Sequence, residues 1–370
     1  MRKQVEAVEA LGAEVWVENP EIYPAPPGKV PPEVWEALRE LARRDPYAAF
    51  DTNGTVTKVP SPVPSRSGYL GRVDAFTRAI RLKREVLPVD VDVTHAHLGI
   101  PTGLAALELG DSPIVVTEHQ STLERMLSEP GAVAQYRKVV ERADLFICVS
   151  GHLRDRILAA CGDDLVDRIE LLPNIVDLSD IEFRVRSDFR TSNWIYVGSI
   201  SQHKGVELLV RAFERYRKVN SAATLTIVGE GPHRPWVERY ASGRGFRSAM
   251  TVTGSLPHSS VGQFLDAADV MVHLSPSETF GIASLEAIGA GLPVVSLRNG
   301  GAQDAWGDIE SEVGVLLDLS ADAGDVVDAV SDIGSGALKL DPERARARVI
   351  ESFSPDEVGR RLFEIYQKLA

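Results

Sequence analysis

A chain of 370 residues, 44% hydrophobic and 25% charged, is long enough for two cored domains and has the composition of an ordinary globular protein. Its formal net charge of −13, with both halves acidic, excludes an electrostatic nucleic-acid binder. Cys148 and Cys161 make no disulfide framework and fit a reducing cytoplasm; no apolar run reaches membrane-spanning length, so membrane association is not expected.

In chain order, Val5, Val8 and Leu11 form a helical stripe that Gly12 ends, and Glu14–Val17 reads as a strand. A doubly wound domain ordinarily places a strand and a glycine turn ahead of that first helix. Either the true start lies upstream of Met1 or the sheet is built without that strand, and we favour the upstream start. Residues 19–64 hold ten of the 22 prolines, interrupted by a short helix at Glu33–Arg43. Such density argues against a regular strand there and for a surface excursion, either a plain loop or a loop that binds an acceptor. Arg72, Arg78, Arg81, Lys83 and Arg84, set against Val73, Phe76 and Ile80, read as a helix with a solvated basic face.

Strands are expected at Val91–Ala96, Ile114–Glu118, Leu145–Val149 and Ile169–Leu172. The polar stretch Arg184–Asn193 marks a domain boundary, giving domains at 1–183 and 184–350 and a terminal helix over 351–370. Further strands follow at Trp194–Val197, Thr224–Val228, Met250–Thr253, Val270–Leu274, Val294–Leu297 and Gly314–Leu317, with helical patterns such as Val206–Val219 between them. This alternation predicts an α/β protein of two nucleotide-binding-type sheets in tandem, with ligand in a cleft at the C-terminal ends of the strands.

The densest chemical signal is residues 275–297. One strand delivers Glu278 into a loop that turns straight into a helix carrying Glu286. Two carboxylates then flank a helix N-terminus whose first N–H groups suit a phosphate, which fits a nucleotide sugar. In Val197–Gly205, Gly198 lets the backbone approach a ligand and Lys204 brings a cation to phosphate oxygens. Gly229-Glu230-Gly231 is either a plain turn or a ligand contact; in Asn299–Asp304 the paired glycines Gly300 and Gly301 expose N–H groups to an anion, and Asp304 either reaches a hydroxyl or caps a helix. His95 and His97 end one strand and His119 follows another, and His119 is the expected substrate contact. No metal site is expected, because His95 and His97 are read as pointing to opposite faces and no third ligand stands at a telling spacing. Asp90 and Asp92 precede their strand and read as solvated charge.

Together these residues resemble the family-4 retaining glycosyltransferases of the GT-B fold. Glu278 and Glu286, with Phe280-Gly281, match the Glu-x7-Glu signature; Val197–Gly205 matches the phosphate loop, and Thr117-Glu118-His119 the strand-end histidine. Phe353 to Tyr366 is similar to the terminal helix that crosses back to the first domain. The resemblance implies that Glu286 binds ribose hydroxyls, while Glu278 and the N–H groups of Phe280, Gly281 and Ile282 hold the donor sugar and its phosphate. It further implies that Lys204 neutralises the leaving diphosphate, that His119 contacts the transferred sugar, and that Gly198, Ser199 and Glu230 line the donor site. The implied activity is transfer from a UDP- or GDP-sugar to a hydroxyl of a small molecule or glycan, with retention and with no cofactor or essential metal. The alternatives are an epimerase, a phosphorylase or an inactive sugar-nucleotide-binding scaffold. Three departures stand out: Ser199 replaces the family's usual arginine, for which Arg298 is a possible substitute, Asp304 stands where glutamate is commoner, and the family's first strand and its glycine loop are not seen ahead of the first helix.

Overall fold

The computed structural model describes residues 2–25, 27, 30–53, 55–110, 112–185 and 190–370. They form two compact units, one of residues up to Leu172 together with Gly359–Ala370, the other of Pro173–Val358.

The first unit opens with a helix, Arg2–Glu9, that buries Val8. Next come β1 (Val17–Ala25), the helix Pro32–Arg44, β2 (Asp51–Asn53) and β3 (Val56–Pro64), joined in a sheet of order β1-β3-β2. The expectation that residues 19–64 contain no regular strand is therefore wrong. Hydrogen-bond phase explains why the prolines are tolerated. The parallel β1–β3 ladder is bracketed by Val17 N–H donating to Thr55 O and by Ser65 N–H donating to Ala25 O. Odd-numbered residues of both strands thus face the ladder, whereas Pro20, Pro24, Pro60, Pro62 and Pro64 all turn their missing N–H away from it. On the far side β2 pairs only with Val56–Lys58, short of the first proline of β3. The early strand expected at Glu14–Val17 begins only at Val17.

The helix Leu70–Val86 packs along β3, but its basic face is not wholly solvated. Lys83 is buried, and with Arg84 it clamps Glu18 of β1 at 3.1 and 2.7 Å. A second parallel sheet runs β4 (Thr94–His97), β5 (Ile114–Glu118), β6 (Leu145–Cys148) and β7 (Ile169–Leu171), in that order. The last helix, Pro355–Leu369, ends in this unit: Arg361 donates to Leu171 O at 2.9 Å, and the Tyr366 hydroxyl lies 2.5 Å from His95 Nδ1.

The second unit is built on a six-stranded parallel sheet. Its strands are β8 (Asn193–Val197), β9 (Thr224–Val228), β10 (Met250–Gly254), β11 (Val270–His273), β12 (Val294–Leu297) and β13 (Gly314–Leu317), in the order β10-β9-β8-β11-β12-β13. Strands β11 and β12 are buried along their whole length, as largely apolar strands are in a parallel sheet covered on both faces. The helix Val206–Tyr216 lays Leu209, Val210 and Phe213 against Trp194, Leu225 and Ile227. Replacing Phe213, which is fully buried, by alanine is expected to cost about 3–5 kcal/mol. Residues 173–185 belong to this unit because they run against its close-packed glycines, with Leu178 on Gly289 and Phe183 on Gly291. Residues 186–189 of the polar stretch lie outside the described residues.

Candidate active site

In the second unit the loops after β8, β9, β11 and β12 abut backbone to backbone. Gly205, at φ +70, lies so close to the chain after β11 that a Cβ would stand 1.8 Å from Leu274 O. Gly301 would place one 2.7 Å from Glu278 O. Glycine is required at both positions for the loops to close on one another.

That packing joins the residues singled out in the sequence. Lys204 Nζ donates to Glu278 Oε1 at 2.8 Å, and His273 Nε2, at the end of β11, lies 3.1 Å from the same oxygen. Burial disfavours an ionised Glu278, but the hydrogen bond from His273 and the adjacent ammonium outweigh it and hold the pKa at about 2. Glu278 also pairs through its backbone with Gly300. The helix Ile282–Gly289 starts at Gly281 (φ +86) with no side-chain cap, so its positive end is open to an anion. Glu286 is buried in this helix and lies 2.7 Å from His258 Nε2. The Phe280 ring packs edge-on against Phe353, which leaves its backbone as the part able to meet a ligand.

The remaining expected donor residues separate into two groups. Gly198 and Ser199 lie in the loop after β8, where the Ser199 carbonyl accepts from the buried Tyr196 hydroxyl at 2.9 Å. Glu230 is engaged by Arg234 (2.6 Å) and by Gly231 N–H rather than by Lys204. Arg298 is tied to Glu310, so the substitute cation expected for Ser199 is committed elsewhere. Asn299 accepts the Ala302 N–H and Gln303 the Gly300 N–H, so these two side chains, rather than Asp304, cap the start of the helix Gly301–Trp306.

His119 belongs to the first unit. Its N–H, with that of Gln120, donates to Oε1 of Glu118, while Oε2 takes the Gly99 N–H and the Tyr136 hydroxyl. Glu118 is fully buried and sets the backbone on which His119 stands. The reading of His95 and His97 as pointing apart is corrected. Residues two apart in a strand share a face, and these rings stack at 4.7 Å, with His119 edge-on to His97 at 5.4 Å. Burial lowers their pKa values to about 3 for His95, 2 for His97 and 4 for His119, so all three are neutral near pH 7. Among the described residues no group of three His, Cys, Asp or Glu side chains is placed to hold a metal ion. Sequence reading missed His273, His258, Tyr196 and Glu118. The available signals were a histidine closing the apolar run Val270–Val272 and a glutamate closing Ile114–Thr117.

Comparison with known proteins identifies the family. Residues 5–180 match the model described as Glycosyltransferase Family 4, and residues 182–348 match that of Glycosyl transferases group 1. Glycogen synthase of Mycobacterium tuberculosis H37Rv is 30% identical over 288 residues, covering 74% of this chain and 68% of that protein. The alpha-D-kanosaminyltransferase of Streptomyces kanamyceticus is 26% identical over 89% of this chain and 87% of its own. Sucrose-phosphate synthase from Thermosynechococcus elongatus, at 18% identity, aligns with a TM-score of 0.75 over 100% of this chain and 92% of that one. The chain thus belongs to the family-4, group 1 glycosyltransferases and has their GT-B fold.

Proposed function

We propose that this protein transfers a sugar from a UDP- or GDP-sugar to a hydroxyl of a small molecule or glycan, with retention of anomeric configuration. The observation that carries the reading is the contact of Lys204 with Glu278 in the loop that leads into an uncapped helix start. A cation, a helix dipole and a carboxylate then converge where a sugar diphosphate has its charge and its hydroxyls.

On this reading Lys204 and the N–H groups of the 280–282 turn receive the diphosphate, Glu286 orients the ribose, and Glu278 orients the sugar. His119 of the first unit, neutral at pH 7, donates to a hydroxyl of the transferred sugar. The acceptor oxygen bonds to the anomeric carbon as the bond to the β-phosphate oxygen breaks. The electron pair leaves with the diphosphate, and the acceptor proton passes to the departing phosphate oxygen on the same face. No covalent sugar–enzyme intermediate and no metal are required. Cys148 and Cys161 are both free and buried, which suits a cytoplasmic enzyme.

The test is thermal unfolding with UDP, GDP and ADP in turn, followed by turnover and determination of the product anomer by NMR. A nucleotide at about 100 times its dissociation constant adds roughly 2.7 kcal/mol to native stability. A midpoint rise with UDP or GDP, and a product of the donor's configuration formed in EDTA, are the expected results. Inversion or a trapped glycosyl adduct overturns the retaining mechanism. No rise with any nucleotide overturns the donor site itself.

A further inference from the structure

We infer that His273 is a positioning residue: it holds Glu278 ionised and in place when Lys204 leaves it for the donor phosphate. The inference rests on the transferase reading above.

Glu278 Oε1 accepts from two side chains of different freedom. Lys204 reaches it along a four-carbon stem from the loop after β8, at 2.8 Å. His273 reaches it at 3.1 Å from the end of β11, and its residue is only 5% exposed. The imidazole stacks on Tyr196, centroids 5.4 Å apart and planes 9° from parallel, and Tyr196 is fully buried with its hydroxyl on Ser199 O. The Ser296 hydroxyl fixes the His273 carbonyl at 3.0 Å. A flat ring held on one face and at its backbone cannot follow a ligand, whereas a lysine can.

One ammonium cannot serve a carboxylate and a phosphate equally. If Lys204 turns to the diphosphate, Glu278 is left largely buried with its Nε2–H partner alone. An ionised carboxylate in that setting requires a retained donor. A carboxylate oxygen can only accept, so Nε2 of His273 donates to Glu278, and Nδ1 is buried with no hydrogen-bond partner. The sheet therefore carries a fixed donor beneath the mobile one. His273 touches neither phosphate nor sugar; it acts through Glu278.

The test uses the intact protein with the nucleotide sugar that the screen above identifies. His273→Phe keeps a flat ring on Tyr196 and removes the donor; His273→Asn supplies an amide too short to reach Oε1; His273→Gln supplies one near Nε2. Removing a hydrogen bond to a charged group predicts a loss of about 10- to 100-fold in kcat for Phe and Asn, with recovery in Gln. Binding of the free nucleoside diphosphate, which also draws Lys204 away from Glu278, should weaken in Phe and Asn and recover in Gln. In a Glu278→Gln background, His273→Phe should change kcat by less than about twofold, because its route is already cut. If Phe fails to fold, the Asn and Gln pair decides. Equal turnover of Asn and Gln, wild-type kcat in either loss variant, or an undiminished effect in the Glu278→Gln background overturns the proposal alone. A wild-type protein that neither binds nucleotide nor turns over any donor overturns the transferase reading, and this inference with it.

Discussion

Lys204 and Glu278 sit at an intermediate depth, with side chains 17% and 13% exposed. A pair at that depth contributes more than a surface bridge and less than a buried one, and roughly 1–2 kcal/mol is the range between those limits. Lys204→Met is therefore expected to lower the unfolding midpoint modestly while cutting kcat by about 10²–10³, the scale for losing one stabilising group at a developing charge. Melting and steady-state kinetics on the same preparation check both parts. Glu118 has the opposite balance. Its two oxygens accept from four donors in a fully buried site, so Glu118→Gln turns an amide NH2 toward groups that must themselves donate. A loss of about 1–3 kcal/mol is expected in urea unfolding, and the proposed role of His119, which stands on the same turn, predicts weaker sugar transfer as well. The two family glutamates were readable as a motif because they lie close together in sequence, and Lys204 because it sits in its own short glycine-bearing loop between a strand and a helix. Their supports were not. Tyr196 and His273 are brought face to face by the neighbouring positions of β8 and β11, a pairing that only the sheet order creates.

At the scale of elements, the strands of the second unit were legible because each is a short apolar run between turns, and β9, β12 and β13 fall where expected. Strands β1 and β3 were hidden by a rule applied too coarsely. Proline excludes a ladder only when its nitrogen faces a partner, and phase is invisible until the register is known. Two exposed neighbours in β1 test this. Tyr23, 68% exposed, directs its N–H at β3, and Tyr23→Pro should cost roughly 1–3 kcal/mol for one lost ladder bond. Ile22, 47% exposed, faces away from β3, and Ile22→Pro should leave the denaturation midpoint nearly unchanged. Equal effects at the two positions would show the phase assignment to be wrong.

For the whole molecule, acid acts on the two units at different pH. The first unit keeps His95, His97 and His119 neutral, with pKa values of about 3, 2 and 4 against an ordinary 6.5. Lowered values in bases mean that the unfolded chain takes up protons first as pH falls. Stability from these groups is complete above about pH 6.5 and drains away as pH falls, down to about pH 4 for His119, 3 for His95 and 2 for His97. Glu278 in the second unit is also lowered, to about 2 from 4.5, and its contribution persists down to about pH 4.5. Between about pH 6.5 and 4.5 these histidines weaken the first unit while Glu278 holds its share of the second. Hydrogen exchange at about pH 7, 6 and 5, corrected for intrinsic rates, should show protection falling in β4 and β5 before β8 and β11. Uniform loss across both sheets would refute this order.

The last helix gives the chain an unusual relation between reading order and completeness. The second unit is one continuous segment, whereas the first is made of the opening residues and the closing segment Gly359–Ala370, anchored by Tyr366 on His95 and Arg361 on Leu171. Domains commonly mature in the order in which a ribosome releases them. Here the segment up to Leu172 must wait for Gly359–Ala370, which is synthesised only after the second unit, so the second unit is able to finish before the first. A polypeptide cut short by a premature stop just before Gly359 would keep every residue of the phosphate loop and both signature glutamates. It would lack the segment that closes the unit carrying His119.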